Sequence, residues 1–132
     1  SVTTCGGEPV LGGPSRFGLD AVVSRILTGL GDHSLLLLEL DVIAVDSWEA
    51  DDSFAVAVDG VETGPYGRDV GGVLVSSGQL CGSPENPFGQ PAGSGIDTVR
   101  HVRVQVPHSG ASAVVEVRSG LDQSAGDESL AL

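Results

Sequence analysis

The densest concentration of side chains able to do chemistry is Asp46-Ser47-Trp48-Glu49-Ala50-Asp51-Asp52, four carboxylates within seven residues. Carboxylates so close repel one another unless a cation sits among them. Calcium is the natural guest, because it accepts six to eight hard oxygen ligands in irregular geometry. The spacing is not that of an EF-hand loop, since Asp51 stands where that loop needs glycine. An ordinary solvated acidic turn is the competing reading. Trp48 inside the turn points to a packing or binding role, either beneath an ion with its carbonyl as a ligand, or as a cap on the core. A second acidic stretch, Leu121 to Ser129, brings Asp127 and Glu128. Two acidic loops at one end of a fold would share an ion, so the expected ligand set is Asp46, Trp48, Glu49, Asp51 and Asp52 with Asp127 or Glu128.

Catalytic signals are thin. His33, His101 and His108 fall at strand starts or turns, with no His-x-His, HExxH or Cys/His pairing. Gly93-Ser94-Gly95 lacks the preceding glycine spacing of a nucleophile elbow, because Ala occupies position 92. The expectation is a protein that is not an enzyme. Arg100, His101 and Arg103 form the one basic cluster in the sequence, and Arg118 lies across a turn from them. A solvated strand face with Arg118 paired to Glu116 accounts for it, the sharper alternative being contact with an acidic partner copy.

Cys5 and Cys81 are 76 positions apart, a spacing that fits neither a zinc site nor a CxxC motif. They are either two buried thiols or a disulfide. A Gly-rich, loop-rich secreted domain favours the bridge, which would tie the N-terminal arm to a long loop.

The elements that position these groups read as short strands. The 132 residues suit one domain over residues 1–132, and 40% hydrophobic content supplies a core. Ala21 to Leu30 is a plausible first strand. In Ser34 to Val45, Leu36, Leu38, Leu40 and Val42 share one parity while Glu39 and Asp41 take the other. Ser53 to Val58 alternates and ends in Asp59-Gly60, a hairpin signal. Val73 to Ser76 is one short strand within 61–96, otherwise expected to be loop, and 1–16 reads as an irregular arm. Val102, Val104 and Val106 alternate before the turn at 107–110, and Ala113, Val115 and Val117 answer them. No amphipathic helix is visible. The pattern predicts an all-β fold, an antiparallel β-sandwich or jelly roll with long Gly/Pro-rich loops.

Charge narrows the partners. Eighteen acidic and six basic side chains leave a formal charge of −12, which repels phosphate backbones and anionic lipid. Nucleic acid and membrane insertion are not expected, and the apolar run at 35–38 is far too short to span a bilayer. The chain begins at Ser1 and contains no Met, which reads as a processed product or a piece of a larger protein.

The stretch LELDVIAVDSWEADDSFAVAVDG, residues 38–60, resembles a pattern of secreted and cell-surface β-sandwich modules of bacteria and protists: a strand leading into Asp-Ser-Trp, an acidic turn, an alternating strand and Asp-Gly. LDQSAGDESLAL resembles the closing segment of such modules, and the likeness extends over 97–132. Leu130-Ala131 stands where that pattern has Trp-Gly, and the chain stops where a final strand would continue. The resemblance implies a structural or adhesive module of an extracellular or cell-surface protein, stabilised by calcium and a disulfide. Its partners would be other extracellular modules or copies of itself. The alternative is a calcium-dependent carbohydrate-binding module that takes glycans. Five aromatic residues, one Trp, one Tyr and three Phe, offer few sugar platforms and rank it second.

Overall fold

The computed structural model describes residues 2–13, 16–46, 48–67, 73–78, 80–81, 97–122 and 128–132. Among them are ten strands and no helix: β1 (Val2–Cys5), β2 (Glu8–Leu11), β3 (Val22–Leu27), β4 (Leu35–Asp46), β5 (Ser53–Val58), β6 (Val61–Gly67), β7 (Val73–Gly78), β8 (Asp97–Pro107), β9 (Ala113–Ser119) and β10 (Glu128–Ala131). Two four-stranded sheets, ordered β10-β4-β8-β7 and β3-β9-β5-β6, accompany a β1-β2 hairpin. Every pairing is antiparallel. The fold is an all-β antiparallel sandwich.

Alternation in the sequence decides which face of each strand is buried. In the register of β4 against β8, Leu36, Leu38 and Leu40 lie opposite Val106, Val104 and Val102. These meet Phe54, Val56 and Val58 of β5 and Ala113 and Val117 of β9 in one core shared by both sheets. Each fully buried Val or Leu is worth about 1.5–3 kcal/mol relative to exposure. The outward residues of β5, Ala55 and Ala57, are also buried. Ala55 lies opposite Arg118, and Ala57 lies between Glu116 and Glu62. Arg118 bonds to both carboxylates, so small alanines pass beneath an ion cluster.

The Asp59-Gly60 signal is realised as the β5–β6 hairpin, with φ of 49° and 82° at the two turn residues and Val58 opposite Val61. Two expectations need correction. The segment 1–16 is not an irregular arm, because Gly6 and Gly7, both at positive φ, turn β1 into β2. Val61–Gly67 is a strand rather than loop. Its Pro65 is tolerated because β6 is the edge of its sheet, where one side needs no ladder donor. The expected strand at 21–30 is shorter, Val22–Leu27. The rest of the expected loop, 68–72 and 82–96, lies outside the described residues.

β10 ties the hairpin to the main sheet. It pairs with β4 from Glu128 opposite Asp46 to Ala131 opposite Ile43. On its other side Leu130 donates to the Phe17 carbonyl and accepts from Gly13, and Leu132 exchanges both backbone bonds with Leu11. Gly12 has to be glycine at this crossing: its φ is +87°, and a Cβ there would lie 2.7 Å from the Leu130 carbonyl oxygen.

Candidate functional site

The acidic turn begins where β4 ends. Asp46 is the cross-strand neighbour of Glu128, so the two acidic segments singled out in the sequence meet at one end of the sheet. Between β4 and β5 the Asp52 amide donates to the Glu49 carbonyl at 3.3 Å, closing a turn over 49–52. The Asp52 carboxylate folds back over it, Oδ2 accepting from the Glu49 amide. Glu49 and Asp51 are exposed, whereas Asp52 is only 1% exposed. Its second oxygen, Oδ1, is buried without a hydrogen-bond partner. A buried acceptor in that state carries a desolvation cost of about 1–3 kcal/mol, more for a charged group.

Trp48 points into the sandwich rather than out of the turn. It is 4% exposed and belongs to the core cluster with Ala44 and Phe54. Its indole Nε1 donates to the Ser129 carbonyl at 2.8 Å, joining the turn to β10. The ring acts as the core cap weighed in the sequence. Among the described residues no three His, Cys, Asp or Glu side chains converge on one point. Asp127 lies outside the described residues, and Asp46 and Glu128 are brought together by backbone register.

Cys5 and Cys81 form a disulfide. Asp97, fully buried at the start of β8, supports it: Oδ2 accepts the amides of Leu80 at 2.8 Å and Cys81 at 2.7 Å. The Gly6 amide donates to the Leu80 carbonyl, so the bridge is flanked by backbone bonds between the same two segments. Nothing in the sequence near Asp97 signals this role, which depends on a residue sixteen positions away.

Sequence spacing also missed a histidine relay. His33 precedes β4 and His108 follows β8, and the register that places Leu35 opposite Pro107 brings them together. His33 Nε2 lies 2.7 Å from His108 Nδ1, with ring planes within 13° of parallel. His33 Nδ1 faces the Gly31 carbonyl at 2.5 Å, and His108 Nε2 faces Asp59 Oδ2 at 2.9 Å. Asp59 Oδ1 accepts the Val114 amide at 2.8 Å. That backbone bond, foremost, holds the Asp59 carboxyl below its ordinary value against desolvation, with a lesser contribution from the His108 contact. Both outer acceptors need a ring proton, so making all three contacts hydrogen bonds takes three protons on two rings.

On the outer face of the β4–β8 pair, Glu39 meets Arg103 Nε at 2.9 Å and Asp41 meets His101 Nδ1 at 2.7 Å. The hydrogen bond to Asp41, then that to Glu39, raises His101 above the ordinary histidine value, opposed by partial desolvation. Arg118 is likewise raised, through Glu116 first and Glu62 second. His101 and Arg103 thus lie on an ion-paired strand face, whereas Arg100, on the other parity of β8 and opposite Val42, lines the space beside Ala44, Trp48 and Phe54.

Comparison of this chain with family models, with curated proteins and with solved structures finds no match.

Proposed function

We propose that the chain is a non-catalytic structural or adhesive module of an extracellular or cell-surface protein, held rigid by its disulfide and by calcium at the acidic turn. The observation that carries the structural reading is the placement of Trp48. Its ring lies in the core with its N–H on the Ser129 carbonyl, so the one tryptophan offers no face to a sugar. A disulfide suits an oxidising compartment. What supports calcium is Asp52, a buried carboxylate with one oxygen lacking a partner, in a turn whose neighbours are acidic. Asp46, Glu49, Asp51, Asp127, Glu128 and the Trp48 carbonyl are the companions that would complete an oxygen shell. Bound calcium would neutralise the densest charge of a −12 domain.

Extracellular modules bind calcium with dissociation constants of about 10⁻⁴–10⁻³ M, enough for occupancy in a millimolar medium. Binding tenfold above that constant adds about 1.4 kcal/mol to stability. The test is a melting curve in calcium and in EGTA, for the wild type and for Asp52→Asn and Asp46→Ala. Calcium is expected to raise the wild-type Tm, with a smaller shift in both variants. Equal shifts in all three place the ion elsewhere, and no shift removes calcium from the reading. A glycan array with and without EGTA addresses the alternative: calcium-dependent binding to a glycan would make this a carbohydrate-binding module.

A further inference from the structure

We propose that His33 and His108 form an acid-released latch: three protons on the two rings close it, and a fourth opens it, freeing the two sheet crossovers that it ties together.

The first crossover, residues 28–34, runs from the end of β3 to the start of β4, and the second, residues 108–112, leads from β8 to β9. Each passes from one sheet of the sandwich to the other. Two backbone bonds join them, from the Leu30 amide to the Ala111 carbonyl at 3.0 Å and from the His108 amide to the Ser34 carbonyl at 3.2 Å. Leu30 packs on the core between the sheets. The histidine contact adds a side-chain tie, which Asp59 extends to the β5–β6 turn.

The rings meet edge to edge. Their centres are 5.0 Å apart, the facing nitrogens 2.7 Å apart, and the planes within 13° of parallel. The two ring radii take up the difference, so both nitrogens lie close to the line of centres, the geometry of an in-line N–H···N bond. His108 is enclosed: its side chain is 8% exposed, and a Cβ on Gly110 would lie 3.4 Å from its Cε1. Water has little access to replace a lost partner there.

Proton count decides which contacts hold. The Gly31 carbonyl and the Asp59 carboxylate only accept, so His33 Nδ1 and His108 Nε2 each need a proton. The inner contact needs one proton between its two nitrogens. Three protons therefore satisfy every contact and leave one positive charge on the pair, facing Asp59. With two, the pair can give up the outer bond to Gly31 and keep the inner one. With four, an N–H points at an N–H across 2.7 Å, and the rings have to part. Acid breaks the link that base only trims.

The surrounding charges leave this count to the two rings. Asp59 faces His108 from the β5–β6 turn, and its carboxyl, held below the ordinary value by the Val114 amide first, stays ionised while the rings titrate. Asp32 is the other titratable side chain of 28–34, and 108–112 has none besides His108. Glu62, further along β6, is engaged by Arg118. Neither crossover contains Arg or Lys.

The test is amide exchange by NMR, read as protection factors from about pH 8 to about pH 4, with imidazole ¹⁵N shifts counting the ring protons. It compares wild type with His33→Gln and His33→Ala. A glutamine amide can donate to His108 Nδ1 or turn over and accept from it, so it keeps the tie without titrating. Wild-type protection at Leu30 and His108 should fall at least tenfold as the fourth proton is taken up, while that at Val56 and Val104 changes less than twofold. His33→Gln should hold its protection throughout, and His33→Ala should lack it at every pH. Wild-type protection that persists to about pH 4, equal acid loss in His33→Gln, or full protection in His33→Ala would each overturn the proposal. Equal loss at Val56 and Val104 would overturn it too, because acid would then be unfolding the sandwich rather than releasing its crossovers.

Discussion

His33 and His108 share a 2.7 Å contact between ring nitrogens although 75 residues separate them. The pair joins the approach to β4 with the turn after β8, and through Asp59 it reaches the β5–β6 hairpin in the other sheet. Three loops at one end of the sandwich are thus linked by side chains, beyond the hold of the sheets. The His108 side chain is 8% exposed, which shields the contact from competing water. His33→Ala should cost about 1–3 kcal/mol, because it removes the contacts to both His108 and the Gly31 carbonyl. Denaturant curves of the two single variants and the double variant should show coupling, and additive losses would mean that the rings act independently. A scalar coupling between the two facing nitrogens by ¹⁵N NMR would report the bridging proton directly.

A pH dependence follows from His101 and Asp59. His101 is raised, chiefly by Asp41, so its contribution is fully present below the ordinary histidine pKa. That contribution is lost as pH rises through the raised folded value. Asp59 is lowered, so its contribution is present above the ordinary carboxyl range and lost as pH falls through the depressed value. NMR titration should find His101 titrating at lower pH in Asp41→Asn than in the wild type. In Asp59→Asn the acid decline in Tm should flatten. Unchanged profiles would show that solvent screens both contacts.

The disulfide and Asp97 give separable losses. Releasing a 76-residue loop should cost about 4–5 kcal/mol in the chain-entropy model. Asp97→Ala should cost about 2–4 kcal/mol even with the bridge intact, because the Leu80 and Cys81 amides lose a charged acceptor. Urea denaturation with and without reductant measures both. If reduction makes Asp97→Ala harmless, the carboxylate serves only to support the bridge.

Period-two alternation made β4, β8 and β9 legible, since each has one apolar parity wherever a single face is buried, and β5 alternates large Phe54, Val56 and Val58 with small Ala55 and Ala57 although both its faces are buried. It failed for β1 and β2, four residues each, too short for a parity to show. It failed again for β6, where Gly64-Pro65 reads as a break and an edge position tolerates it. The acidic turn was visible as composition, but its internal division was not. Asp51 and Asp52 are adjacent and identical in type, yet one is exposed and the other buried. That difference comes from the turn geometry that folds Asp52 over the Glu49 amide. The His33–His108 contact and the role of Asp97 depend on strand register, which no local spacing encodes.

Trp48 provides the most direct probe of this end of the fold. It is the chain's one tryptophan, 4% exposed, and its indole N–H is satisfied by the Ser129 carbonyl. Its fluorescence should therefore be blue-shifted in the folded protein and move red in one step on unfolding. Trp48→Phe keeps most of the apolar volume but removes the hydrogen bond, leaving a buried Ser129 carbonyl without that donor. The expected loss is about 1–3 kcal/mol. Trp48→Ala also opens a cavity between the sheets and should cost about 3–5 kcal/mol. The same substitutions examine the link to β10, because the hydrogen bond crosses from the turn to that strand. Amide exchange at Leu130 and Leu132 should quicken in Trp48→Phe, while exchange in the β5–β6 hairpin stays unchanged. If both regions quicken equally, the indole supports the sandwich as a whole. If neither does, β10 is held by β4 and Leu11 alone.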